Sequence, residues 1–238
     1  VPRGDTPDPS RGIDIMLCLD FSRSMAEEDF RLQGRRVSRR RALEEVTTRF
    51  IRGRPVDRIG IVCFARSPFL VSPLTLDHNW AIQSLRETDL ATGTGIGWAL
   101  LASVNFLKRD SDRSKVVILV TDGENSVGPR PLDVISQATQ AGVKVYSILI
   151  GPEVVTPSAA AGHELNRASR STGGQFFQAT DARALERIYL LIDQLEKREL
   201  IQKRYVLWRE LYPAPLWAGF ALWIVTLGWT RLVRRRTP

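Results

Sequence analysis

A chain of 238 residues has room for one α/β domain with a sizeable core and a tail; its two cysteines resemble neither a disulfide framework nor a zinc pair, and its two histidines, His78 and His163, are isolated, which removes the usual general base for a Ser or Cys nucleophile. The net charge of +8 raises nucleic acid as a partner. No recognised nucleic-acid module or aromatic interleaving surrounds the densest basic run, Arg35-Arg36-Val37-Ser38-Arg39-Arg40-Arg41, and Glu27, Glu28, Asp29, Glu44 and Glu45 flank it, so a solvated or partner-facing loop is expected there and no nucleic acid.

Residues 1–11, rich in Pro, Asp and Gly, read as a linker, and a chain that opens on Val1 reads as a fragment or a processed form. The apolar run Ile13–Leu19 has the length and character of a buried parallel strand and ends at Asp20. A helix near Arg41–Ile51 leads to strands at Ile59–Phe64 and Phe69–Val71, with a connection so short that the second is most simply an antiparallel edge. Helices follow near His78–Arg86 and Gly97–Lys108; in the latter Trp98, Leu101, Val104 and Leu107 recur at helical spacing, the mark of core packing. Strand Val116–Val120 ends at Thr121-Asp122-Gly123. The remaining elements are a helix near Leu132–Ala141, strand Val143–Ile150, a helix near His163–Ser171, strand Gln175–Gln178 and a helix near Ala182–Glu199. Strand and helix alternating at this spacing predict an α/β fold, a doubly wound, mostly parallel six-stranded sheet with one antiparallel edge strand. Cys18 and Cys63 fall within strands, where a free thiol packs as a small hydrophobe.

Beyond the domain, over residues 12–200, a connector at 201–210 precedes a stretch without any charged residue, 211–230. About 20 apolar residues cross a hydrocarbon core, so a transmembrane helix is predicted there, with Tyr212, Trp217, Trp223 and Trp229 supplying interfacial aromatics. Arg231, Arg234, Arg235 and Arg236 then mark residues 231–238 as a basic cytoplasmic tail, which places the domain on the outside.

Both acid-bearing strand ends belong where α/β sheets bind ligands, in the crevice beyond the carboxyl ends of the strands. Asp20, Ser22 and Ser24 in Asp20-Phe21-Ser22-Arg23-Ser24, Thr94 in Gly93-Thr94-Gly95-Ile96-Gly97, and Asp122 form a set of hard oxygen donors suited to Mg²⁺, with Mn²⁺ and Ca²⁺ as alternatives. The Asp and Ser residues of the first stretch also favour helix starts, so the motif alone does not define a metal site. The glycine-rich run lacks the spacing and the preceding strand of a nucleotide loop.

This D-x-S-x-S, downstream Thr and T-D-G set resembles the metal-ion-dependent adhesion site of von Willebrand factor A domains. Further segments, among them Met25-Ala26-Glu27-Glu28-Asp29-Phe30, Asp57-Arg58-Ile59-Gly60-Ile61-Val62, Pro73-Leu74-Thr75-Leu76-Asp77 and Thr121-Asp122-Gly123-Glu124-Asn125, are similar to the bacterial aerotolerance (Bat-type) subgroup, close to its BatA members, over roughly residues 12 to 232. The resemblance implies that Asp20, Ser22 and Ser24 form the first metal loop, Thr94 the second and Asp122 the third. The serines would bind directly, the aspartates directly or through water, and a partner's Glu or Asp would take the sixth position. The subgroup often carries D-G-T-A-I-G in its second loop where this chain has Ala91-Thr92-Gly93-Thr94-Gly95-Ile96-Gly97, which makes Thr92 a weaker rival to Thr94 and suggests a looser loop. It further implies a non-enzymatic interaction module in the bacterial inner membrane, companion Bat-type membrane proteins, a MoxR-type AAA+ ATPase, and a role in envelope stress tolerance or protein assembly. The alternatives are a scaffold in which the metal only fixes loops, and a metal-assisted hydrolase with Glu124 as base.

Overall fold

The computed structural model describes residues 12–32, 34–108, 113–123, 125–151 and 159–206, together with Trp217, Gly219, Phe220 and Trp223. The first apolar run forms β1 (Asp14–Asp20), buried at every residue, as a strand in a sheet covered on both faces must be. A 3₁₀ turn at Arg23–Ala26 leads into an antiparallel hairpin of β2 (Phe30–Leu32) and β3 (Arg35–Val37). Helix α1 (Arg39–Arg52) begins at Ser38, whose hydroxyl accepts from the Arg41 amide at 3.2 Å and so satisfies one of the helix's free donors. Then come β4 (Arg58–Phe64), β5 (Pro68–Thr75), α2 (His78–Arg86), α3 (Ile96–Leu107), β6 (Lys115–Thr121), α4 (Pro131–Gln140), β7 (Val143–Ile150), α5 (Ala159–Ser171), β8 (Phe176–Ala179) and α6 (Ala182–Val206).

The main sheet has the order β5-β4-β1-β6-β7-β8, parallel throughout except for β5. The six expected strands and their antiparallel edge are therefore present. From β1 the chain winds outward to β4 and β5, then returns on the other side of β1 as β6, so the winding reverses between β1 and β6. Strand β5 is longer than its sequence suggested. Pro73 looks like a strand breaker, but on an edge it costs no ladder bond, and the β4–β5 register shifts around it.

Alternating side chains of the sheet enter two cores. Ile15, Leu17 and Leu19 of β1 face α1, α2 and α6, whereas Met16 and Cys18 face α3, α4 and α5. Each fully buried Leu or Ile contributes about 1.5–3 kcal/mol, which makes this three-layer packing the main source of stability. The hairpin β2–β3 had no expectation in the sequence, where it reads as part of the basic loop. Phe30 is buried in the first core, and Leu32 and Val37 pack against it, while Arg31, Arg35 and Arg36 are exposed.

The amino ends of the strands are closed by ion pairs. Arg58 donates to both oxygens of Asp14, at 2.8 and 2.7 Å, and Asp57 accepts from the Ile13 amide at 2.8 Å and from Arg54 Nη1 at 2.7 Å. The buried acids at this edge thus have cationic partners.

Residues 201–238 form a second unit. Among the described residues no helix is long and apolar enough to cross a membrane. The span expected over 211–230 lies outside them apart from Trp217, Gly219, Phe220 and Trp223, which are helical, with the exposed Phe220 ring 6.1 Å from each of the two indoles. The linker 1–11 and the tail 231–238 also lie outside the described residues.

Candidate metal site

Asp20 ends β1 and is fully buried. Its Oδ1 accepts from the Ser22 amide at 2.8 Å and its Oδ2 from the Thr121 hydroxyl at 2.7 Å, across to the end of β6. Both donors are neutral. Burial and then the nearby Asp122 carboxylate push the Asp20 carboxyl up to about 6, while the Ser22 and Thr121 bonds pull the other way. Unlike Asp14 and Asp57 at the far edge, this acid has no paired cation among the described residues.

A row of oxygens continues from it. The Ser22 and Ser24 hydroxyls are 2.9 Å apart, and Ser24 Oγ donates to Asp122 Oδ1 at 2.9 Å. The other Asp122 oxygen accepts from Arg39 Nη1 at 2.9 Å, and the Asp122 side chain is only 1% exposed. Arg39, the first residue of α1, is itself clamped. Its Nε donates to Asp29 at 2.9 and 3.1 Å, its Nη2 donates to Glu27 Oε2 at 2.7 Å and to Asp29 Oδ2, and its amide donates to the Glu27 carbonyl at 3.0 Å. Burial works against the guanidinium charge, but hydrogen bonds and attraction from Asp29 and Asp122 outweigh it and hold its pKa above the usual value.

Thr94 lies in the loop before α3. Its amide donates to Ser126 Oγ at 2.9 Å, and its carbonyl accepts from the Ser126 amide at 2.8 Å and the Val127 amide at 3.3 Å. None of these bonds engages the Thr94 hydroxyl. Thr92 is exposed, and its carbonyl accepts from the Arg66 amide instead. The loop is not slack, contrary to the expectation from its extra glycine. The Gly95 amide donates to the Ala65 carbonyl at 2.7 Å, and a Cβ on Gly95 would lie 2.5 Å from the Arg66 carbonyl oxygen, so glycine here permits a close approach. First and second loops are joined in turn by the Ala91 amide, which donates to the Phe21 carbonyl at 2.9 Å.

Asp20, Ser22, Ser24 and Asp122 are therefore assembled in one row, and Thr94 is stitched to the third loop by its backbone. An oxygen-only set containing a buried acid without a counter-charge fits a hard divalent cation, and two carboxylates with three hydroxyls come closer to a six-coordinate Mg²⁺ or Mn²⁺ than to the six to eight oxygens of Ca²⁺. Thr121 and the clamp of Arg39, Asp29 and Glu27 were missed as site residues. Thr121 was visible beside Asp122, but Arg39 meets Asp122 across 83 residues and nothing local announces it. Glu124, the base that a hydrolytic site would need, lies outside the described residues.

A family model for the von Willebrand factor type A domain matches residues 14–190. An uncharacterized protein of Borreliella burgdorferi is 28% identical over 220 residues, 82% of this chain and 61% of that protein, so the chain spans about three fifths of this relative. Among solved structures, BatB from Bacteroides thetaiotaomicron superposes with a TM-score of 0.65 at 20% identity, over 78% of this chain and 100% of that one. An aerotolerance-related membrane protein from Bacteroides fragilis does so with 0.64 at 20% identity, over 77% and 98%. At such identities the likeness is one of fold.

Proposed function

Because the chain belongs to the von Willebrand factor type A domain family, we propose that it is a membrane-anchored interaction module whose Asp20, Ser22, Ser24, Thr94 and Asp122 hold a divalent cation and present it to a carboxylate of a protein partner. The observation that carries this is the contrast between the two edges of the sheet: acids at the amino ends are paired to arginines, while Asp20 at the carboxyl end is buried among neutral donors beside a second acid. When bound, the cation supplies the missing positive charge and an open coordination position. Asp20 fixes the first loop through the Ser22 amide and ties β1 to β6 through Thr121. Arg39 offsets the charge of Asp122, so the protein donors neutralise less of a bound dication and an incoming carboxylate gains more. No turnover is assigned to the site. A purely structural metal is disfavoured because the three loops are already joined by Phe21–Ala91, Thr94–Ser126 and Ser24–Asp122 bonds.

The deciding experiment is Thr94→Ala. Removing one neutral hydroxyl while both carboxylates remain should weaken Mn²⁺ binding less than about tenfold in calorimetry. Recovery of partner from solubilised membranes should fall further, since the second loop must present the site to a foreign carboxylate. Equal recovery at saturating metal would favour the scaffold role.

The uncharged stretch 211–230 supports an anchor in the inner membrane, and the arginines of 231–238 support a cytoplasmic carboxyl end with the domain outside. The full chain should stay in the membrane pellet after alkaline carbonate washing; release into the supernatant would refute the span. Companion Bat-type membrane proteins and a MoxR-type AAA+ ATPase are the partners that the Bat-type likeness suggests, in envelope stress tolerance or assembly.

A further inference from the structure

The basic run is divided by the fold into three different roles. Arg39 is consumed by the clamp. Arg40 lies over the Phe21 ring, 5.3 Å from its centroid, and donates to the Thr88 carbonyl. Arg31 and Arg36 share the hairpin's outward face, and Arg35, opposite Leu32, is exposed beside the turn at its end. All three are exposed, and among the described residues none pairs with a carboxylate; Arg36 Nε donates only to the Glu28 carbonyl, at 3.1 Å. Arg31 and Arg36 are direct partners across the ladder, an arrangement in which like charges repel. The hairpin is nonetheless held firmly by the burial of Phe30 and the packing of Leu32 and Val37.

Its position relative to the metal site is fixed by one guanidinium. Asp29, the residue just before β2, and Asp122 of the third loop both accept from Arg39. Glu27 and Asp29 spend their charges on that guanidinium, which leaves Glu28 as the acid of the segment that Arg39 does not engage. Arg39 thus links Asp122 to the residue preceding β2, and the exposed arginines with repulsion built into them follow within a few residues along the hairpin.

We infer that the β2–β3 hairpin is a docking surface for an acidic segment of the protein partner, so that one carboxylate of the segment reaches the cation while its neighbours pair with Arg31, Arg35 and Arg36. The inference rests on the metal-capture function proposed above and adds the chemistry of the partner: several acids in a row. Three exposed ion pairs, each modest, together amount to about a tenfold gain in affinity and weaken with salt.

The test titrates a labelled oligo-glutamate peptide with the full chain in neutral detergent, in Mn²⁺ or in EDTA, for wild type and for the triple variant R31Q/R35Q/R36Q. All three positions are solvent-facing, so the variant keeps its packing, and its Mn²⁺ affinity serves as the control for an intact site. Expected are about tenfold weaker peptide binding by the variant, unchanged Mn²⁺ affinity, and a flatter salt dependence. Peptide binding that needs Mn²⁺ but is identical in wild type and variant would overturn the hairpin surface and leave metal capture standing. Binding that depends on the arginines and ignores Mn²⁺ would keep the hairpin and sink metal capture. Tighter, arginine-dependent binding to phosphatidylserine vesicles than to the peptide would overturn the protein partner in favour of a membrane surface.

Discussion

Asp20→Asn should cost at least about a hundredfold in Mn²⁺ affinity and leave the domain folded. Losing only an outer-shell group that orients a ligand costs metal sites about 10–100-fold, so removing the charge of a direct or water-bridged acid costs no less. The fold survives because asparagine still offers a carbonyl oxygen to the Ser22 amide or the Thr121 hydroxyl. Without metal, the substitution should be stabilising above neutral pH. A carboxyl raised from 3.8 to about 6 favours the native state only while protonated, so its contribution is complete below pH 3.8 and disappears as the pH passes 6. The full swing is about 3 kcal/mol, of which about half falls between pH 5 and pH 8, and the variant should lack it. Calorimetry with Mn²⁺, and thermal unfolding in EDTA at pH 5 and pH 8, read both effects. Undiminished Mn²⁺ affinity would remove Asp20 from the site.

Arg39→Met should move two quantities in opposite directions. Stability should fall by about 3–5 kcal/mol, since the buried Asp122 carboxylate and the partly buried Asp29 lose the cation they share. Metal affinity should rise by about tenfold, because a positive charge in contact with Asp122 no longer competes for it. Mn²⁺ should consequently raise the melting temperature of the variant by more than that of wild type. Denaturation midpoints with and without Mn²⁺ test this. An unchanged midpoint would mean that Asp122 does not depend on the clamp, and weaker metal binding would mean that Arg39 positions the ligand instead of competing with the cation.

The sheet and its carboxyl-edge crevice were readable in the sequence because the strands are continuous apolar runs, and Ile13–Leu19 and Val116–Val120 each run straight into an acid. Asp20, Ser22, Ser24 and Asp122, which the fold brings into one row, could be named together because each lies in a short local pattern. The hairpin was hidden because β2 and β3 have only three residues each, too short for a period-two signal, and because Arg35 through Arg41 read as one solvated charge run. The clamp was hidden for a different reason: a side chain's partner across 83 residues is a property of the packed chain. The lengthening of β5 past Pro73 follows from its place at the edge, which a one-dimensional reading penalises.

The pairing of β1 on both sides has a consequence for how the protein is made. Asp14 lies opposite Arg58 in one neighbour and Lys115 in the other, and the Asp20–Thr121 bond closes across 101 residues. No nascent chain that stops short of β6 contains the donor row, and local structure formed early in synthesis brings none of the three loops together. Contacts of such long range form late and slowly. If the proposed site holds its cation, ion capture would report that the central sheet has been completed, and a partner engaging through the ion would discriminate finished domains from unfinished ones without any separate inspection step.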